Sequence, residues 1–210
     1  AICATFTVMA DNSLHPDNRL IDAMLSNVAE QGWRGLTVAD VAARADISVE
    51  TAEALCPNRT DLLDMFACRV DATSIVDVGP VPDDPDARYD QLLDIMMQRF
   101  EVLEPDKVAV SRLTRDVACE PDTLLRILPQ SRRSFAGLAG AAGYPDSGLG
   151  GLLFAKALAL VWLATQRVWL QDTGADLGET MAALDRNLRR AMAGLAALPA
   201  CAGLQISDPP

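Results

Sequence analysis

Histidine is almost missing: the chain has one, His15, in a polar segment near the N-terminus. A histidine-based catalytic triad or zinc site is therefore not expected. Lysine is nearly as scarce, since only Lys107 and Lys156 stand among 18 basic residues. Acidic residues number 29, and the formal charge is −11. A surface this acidic opposes general attraction to nucleic-acid phosphates and anionic lipid. The five cysteines, Cys3, Cys56, Cys68, Cys119 and Cys201, form no C-x-x-C pair. Reduced thiols in a cytoplasmic protein are the expectation. No clean membrane span is expected, because the best apolar run, Leu152 to Leu170, is broken by Lys156, Gln166 and Arg167. The first ten residues carry no charge, so the basic start of a secretory signal is lacking. Met9 reads as a natural start, and residues 1–8 read equally as native or as an added extension.

What is present is alanine, leucine and helical spacing. Half of the 210 residues are hydrophobic, enough for one medium domain or a small module joined to a larger one. Strand-type alternation is rare, so an all-α chain is expected. A first helix is expected from about Asp17 to Gln31, with Leu20, Ile21, Met24, Leu25 and Val28 recurring at three and four. Gly32 supplies its stop. Thr37 caps a short helix, Val38 to Ala45, with Asp40 placed for a capping box. Asp46-Ile47 turns the chain, and Ser48 caps another short helix, Val49 to Leu55. Val38, Val41, Ala42, Ile47 and Leu55 are the expected contacts between the two. A fourth helix is expected from Thr60 to Asp77. Residues 79–86 hold three prolines and read as a linker. Further helices are expected near 87–103, 106–119, 121–142, 148–172 and 175–197, with Pro129 kinking or dividing the third. The division is an N-terminal extension (1–16), a helix-turn-helix module (17–70), a larger helical domain (71–198) and a loose tail (199–210).

Two very short helices closing a three-helix module suggest a helix-turn-helix. The run Gln31-Gly32-Trp33-Arg34-Gly35-Leu36-Thr37-Val38-Ala39-Asp40-Val41-Ala42, continued by Asp46-Ile47-Ser48, resembles the N-terminal domain of TetR-type regulators. Pro57-Asn58-Arg59-Thr60-Asp61-Leu62-Leu63 is similar to the stretch that follows in that family. The resemblance implies a three-helix DNA-reading module and a larger helical domain for ligand binding and dimerisation, about nine helices in all. It also implies operator DNA as partner. Arg34, Thr37, Ser48, Thr51 and Arg59 would meet the DNA backbone, and Val49 a base edge. The sequence departs from the family pattern in the reading helix. The family's glycine position is Glu50, its phosphate-contacting tyrosine position is Glu53, and its turn glycine is Asp46. From Asp17 to Val70, five arginines face nine carboxylates, a sum of −4.

The larger domain offers bulky apolar side chains for a ligand: Met96, Met97, Phe100, Leu103, Phe135, Tyr144, Trp162 and Trp169. Polar groups are few, among them Gln98, Gln130, Ser134, Gln166 and Arg167. The expected ligand site is Met96, Met97, Phe100, Phe135, Trp162, Gln166 and Trp169, suited to an apolar or amphipathic small molecule or lipid. The same residues read equally as plain core. Leucines surround the helix near 148–172, so it should be buried on several sides. Met181, Leu184, Leu188, Met192 and Leu195 stripe the last helix. A homodimer through these two helices is expected.

A second, shorter resemblance lies at 168–186. Leu170, Asp172, Asp176, Thr180, Leu184, Asp185 and Arg186 are similar to the end of the COQ9 family, TetR-fold proteins that bind lipid and assist ubiquinone biosynthesis. Two readings therefore stand: a ligand-responsive transcriptional regulator, or a lipid-binding accessory protein whose helix-turn-helix no longer binds DNA. No nucleophile–base pair, metal cluster or phosphate loop is visible, so an enzyme, a metal and a cofactor are not expected. Asp116 and Glu120 read as solvated carboxylates.

Overall fold

The computed structural model describes residues 15–197. The extension and tail fall largely outside them. Among the described residues there are nine α-helices and no strand: α1 (Pro16–Gln31), α2 (Val38–Ala45), α3 (Val49–Leu55), α4 (Arg59–Ser74), α5 (Pro85–Leu103), α6 (Lys107–Ala118), α7 (Pro121–Ala141), α8 (Gly148–Trp169) and α9 (Gly178–Ala196). A single 3-10 turn, Glu104–Asp106, joins α5 to α6. The chain is all-α, with an N-terminal helix-turn-helix and a larger helical part. It forms two compact units, residues 15–72 with 103–130 and residues 73–102 with 131–197. By contact, α6 and the first half of α7 therefore group with the N-terminal helices.

The first unit is built around α1. Its stripe Leu20, Ile21, Met24, Leu25 and Val28 is buried, and α1 packs on both α2 and α6. Pro16 sits in the first turn, where its missing N–H has no cost. Gly32 ends the helix at φ +90°, a left-handed-side conformation that a side chain would strain. Thr37 and Asp40 form the expected capping box: Asp40 N–H donates to Thr37 Oγ1 at 3.2 Å, and Thr37 N–H donates to Asp40 Oδ2 at 3.0 Å. Asp46 adopts the left-handed conformation, φ 54° and ψ 49°, in the place of the expected turn glycine. Ser48 caps α3 by accepting from Thr51 N–H at 3.2 Å. Leu55 does not pack back as expected; it is 38% exposed. In a helix of seven residues the inward row falls instead on Ala52 and Cys56, which are fully buried.

In the second unit, α5 buries Tyr89, Leu92, Ile95, Met96 and Phe100. The helix α8 packs on α9; α8 buries Phe154, Leu158 and Trp162, with Phe154 stacked on Tyr144 and Trp162 on Phe100, and α9 buries Leu184, Leu188 and Met192. Both helices are shorter at their junction than expected. The buried Asp172 accepts from Gly174 N–H at 3.0 Å and from Thr180 N–H and Oγ1 at 2.9 and 2.8 Å. This carboxylate folds the intervening turn and serves the start of α9, so residues 170–177 cannot continue either helix. Asp185 accepts from Tyr89 Oη at 2.8 Å and pairs with Arg189 at 3.0 Å.

Three further expectations are corrected. The helix α4 ends at Ser74, three residues early, where turns take over. The helix α7 runs on through Pro129 without division. Proline removes the bond to the carbonyl of Leu125 without ending the helix. Cys68 is disulfide-bonded, against the expectation of five reduced thiols, while Cys56 and Cys119 are free. By length and mean hydropathy (1.7) α8 is apolar enough to cross a membrane. Of that apolar stretch 39% is buried inside the chain.

Candidate functional site

The outer face of α3 presents Val49, Glu50, Thr51 and Glu53 to solvent. The caps fix its start: Ser48 Oγ and Thr51 Oγ1 lie 2.9 Å apart, so both hydroxyls are already engaged with each other at the helix N-terminus. Arg34 and Thr37 are exposed on the approach to α2. These five sequence-expected contact residues all lie at or beside the α2–α3 unit and reach the surface. Glu50 and Glu53 lie on the same short helix, and no lysine exists in this unit before Lys107. Nearby cations are largely committed. Arg44 pairs with Glu30, and Arg19 donates to the carbonyls of Ala45 and Asp46. Hydrogen bonding between Glu30 and Arg44 lowers the carboxyl pKa and raises that of the guanidinium.

Arg59 is placed differently from the other expected contacts. Its guanidinium lies 5.0 Å from the Trp33 ring centre, donates to the Trp33 carbonyl at 3.2 Å and pairs with Glu120 at 2.6 Å. The Trp33 side chain is fully buried, and the Trp33 backbone N–H donates to Asp116 Oδ2 at 2.8 Å. Arg112 adds a bond to the carbonyl of Glu30 at 3.0 Å. Asp116 and Glu120 are thus half-buried partners of the helix-turn-helix, not the solvated carboxylates that were expected. Their sequence signal was weak, because each stands alone on an otherwise ordinary polar helix face. Gly32 also faces Asp116: a Cβ there would meet Oδ2 at 2.8 Å. The carboxylate reaches Trp33 only because position 32 has no side chain.

The expected ligand residues are brought together in the second unit. Met96, Met97, Phe100, Phe135, Trp162, Gln166 and Trp169 are all buried. Phe100 stacks on Trp162 with centroids 4.1 Å apart, and Trp169 lies 5.7 Å from Phe100. Sequence reasoning missed Arg99, which is buried at the heart of this cluster. It donates to Ser134 Oγ at 3.0 Å, with its guanidinium carbon 4.8 Å from Trp162 and 5.0 Å from Phe135. A signal was available: Leu92, Met96 and Arg99 share one helical row. A buried cation over two aromatic faces is held by their quadrupoles and can meet a ligand's polar end. A separate open groove of about 410 Å³ is lined by Thr73, Val76, Asp77, Ala87, Asp90, Gln91, Asp94 and Gln98, of which Gln98 alone was among the polar groups expected near a ligand. No group of three metal-ligating side chains occurs among the described residues.

A capped helix-turn-helix followed by a mainly helical body with an apolar core is the TetR-type fold, and comparison with solved structures shows that fold here. A TetR transcriptional regulator from Nitrosomonas europaea ATCC 19718 matches with a TM-score of 0.65 at 16% identity, covering 83% of this chain and 97% of its own. A TetR transcriptional regulator from Rhodococcus sp. RHA1 matches at 0.56 and 16%, covering 84% and 94%. FadR of Thermus thermophilus, a TetR-family repressor in complex with lauroyl-CoA, matches at 0.56 and 14%, covering 92% and 99%. No family model matches the chain, and no curated protein matches it. At these identities the likeness concerns the fold.

Proposed function

We propose that the chain is a cytoplasmic homodimeric transcriptional regulator, with operator DNA binding modulated by an apolar or amphipathic ligand. The observation that carries this reading is the α2–α3 pair, capped at both starts and turned by a left-handed Asp46, with the outer face of α3 free. Such a unit places a short helix to enter a major groove. Residues 17–70 form the reading module, with Arg34, Thr37, Ser48 and Thr51 at the backbone and Val49 at a base edge. Arg59 contributes by bracing Trp33. Residues 71–198 bind the ligand, with the aromatic cluster and Arg99 as its lining. The acyl-CoA bound by the Thermus thermophilus neighbour supports a ligand with a long apolar portion and an anionic end.

The dimer forms through α8 and α9. The leucines of the α9 stripe are used within the chain, so the pairing face is the exposed row Leu149, Leu160 and Leu163 of α8 with Met181 of α9. Exposed apolar rows of this size favour a partner chain.

A second reading is favoured by Glu50 and Glu53, whose exposed carboxylates would repel phosphate. In it the protein is a lipid-binding accessory factor of the COQ9 kind without DNA affinity. One purified sample divides the two. Genomic fragments are tested for binding at low salt, and the same sample is extracted for lipid by mass spectrometry. The regulator reading expects salt-sensitive DNA binding. Loss of every fragment at low salt, with affinity restored by the Glu50→Gly/Glu53→Tyr variant and lipid in the extract, establishes the second reading instead.

A further inference from the structure

The nine carboxylates between Asp17 and Val70 are not used alike. Five are engaged inside the module. Asp22 pairs with Arg69 at 2.6 Å, Asp46 lies 3.8 Å from Arg19, and Glu30 pairs with Arg44. Asp40 and Asp61 serve helix starts, accepting from Thr37 N–H at 3.0 Å and from Asn58 N–H at 2.7 Å. Glu50 and Glu53 are exposed, and among the described residues neither has a hydrogen-bond or ion-pair partner. Both stand on the outward side of α3. Ala52 is its fully buried position. At about 100° per residue, Glu50 and Ala54 lie opposite Ala52, and Glu53 lies about 60° from Glu50. Val49 and Ala54 flank the two carboxylates and are exposed as well. The helix carries no cation and no side-chain amide, and the Thr51 hydroxyl is bonded to that of Ser48. Laid in a major groove, α3 therefore meets base edges with carboxylate acceptors and methyl groups.

We propose that Glu50 and Glu53 read cytosine, each accepting a hydrogen bond from a cytosine N4 amino group, so that an operator half-site carries two cytosines on neighbouring base pairs. The inference rests on the regulator reading above and names the class of sequence that its reading helix selects. The major-groove edges decide the base. Guanine shows two acceptors, N7 and O6, and thymine shows O4, so both repel a carboxylate. Adenine sets its N7 acceptor beside its amino group. Cytosine alone offers a donor with no acceptor on the same base. The charge that weakens general attraction to phosphate thus penalises the wrong bases. Spacing suits two readers. Residues three apart on a helix have Cβ atoms roughly 5–6 Å apart, and successive bases of a strand rise by about 3.4 Å, so the two carboxylates reach adjacent pairs.

The test is selection from a randomised duplex pool by the full chain at low salt, followed by fluorescence anisotropy on the enriched duplex. The expected half-site carries two cytosines on adjacent base pairs. Replacing either with thymine should weaken binding of the parent about tenfold. Glu50→Gln and Glu53→Gln should each move the preference at one of these positions from cytosine to adenine, whose N6 and N7 a glutamine amide meets together. Both positions are exposed, and circular dichroism verifies that each variant keeps the parent's helicity. An enriched half-site without the cytosines overturns the proposal and leaves the regulator reading standing. Glutamine variants that keep the parent's sequence preference overturn it as well, and tighter binding to every duplex then marks carboxylates that only repel phosphate. If the parent enriches no duplex, the regulator reading and the proposal fall together.

Discussion

Asp116 shows how much a single carboxylate can organise. It receives the Trp33 backbone N–H at 2.8 Å in a half-buried place. Asp116→Ala should lower stability by about 1–2 kcal/mol, read by chemical denaturation, since a lost partner leaves the donor unsatisfied. Asp106 acts in the opposite sense. Burial raises its pKa, Arg69 pulls it down by less, and Asp22 adds to the rise. Its folded pKa lies above the unfolded value, so the fold binds the proton more tightly and the ionised form weakens it. Asp106→Asn should therefore raise the melting temperature at neutral pH, and the gap should close as pH falls towards roughly 4. The free thiols also differ. Burial pushes Cys56 up to about 11, while Cys119 is exposed. Peptide mapping after brief alkylation at neutral pH should find Cys119 modified well ahead of Cys56.

At the scale of elements, the caps were the most legible feature. Thr37, Asp40 and Ser48 act through bonds that span three residues, so neighbouring sequence suffices to place them. Thr37→Ala and Ser48→Ala should each cost about 1 kcal/mol, measured by thermal or urea unfolding. Asp46→Gly should raise stability, because glycine enters the left-handed region without strain. The ends of α4, α8 and α9 were not legible. Asp172 reaches Thr180 across eight residues, and local pattern carries no mark of which carboxylate will turn inward. The segment similar to the lipid-binding family contains this pair, so part of its pattern serves to fold a turn. Leu55 misled for a related reason: a helix of seven residues has too few apolar positions to fix its own rotation.

At the scale of the whole molecule, the helical class and the order of the nine helices among the described residues were readable from spacing and breakers, whereas the grouping of α6 and the first half of α7 with the N-terminal helices was not. Within the site, the six apolar residues and Gln166 expected around a ligand are buried together, because their helical rows were visible. Arg99, Asp116 and Glu120 were not expected, since a charged side chain that turns inward breaks the pattern used to read a helix. The dimer reading is tested here as well. Leu160→Glu/Leu163→Glu should convert the protein to monomers in light scattering, with helicity kept.

The bonds from α6 and its following turn to the helix-turn-helix join residues far apart along the chain: Trp33 to Asp116, Glu30 to Arg112 and Arg59 to Glu120, separations of 83, 82 and 61 residues. A ribosome releases the N-terminal helices first. Yet Trp33 cannot acquire its acceptor, nor Arg59 its carboxylate, until residue 120 has been made. The module that looks most like a self-contained cassette is thus finished by a stretch synthesised much later, and a nascent chain halted before α6 should expose an incomplete helix-turn-helix.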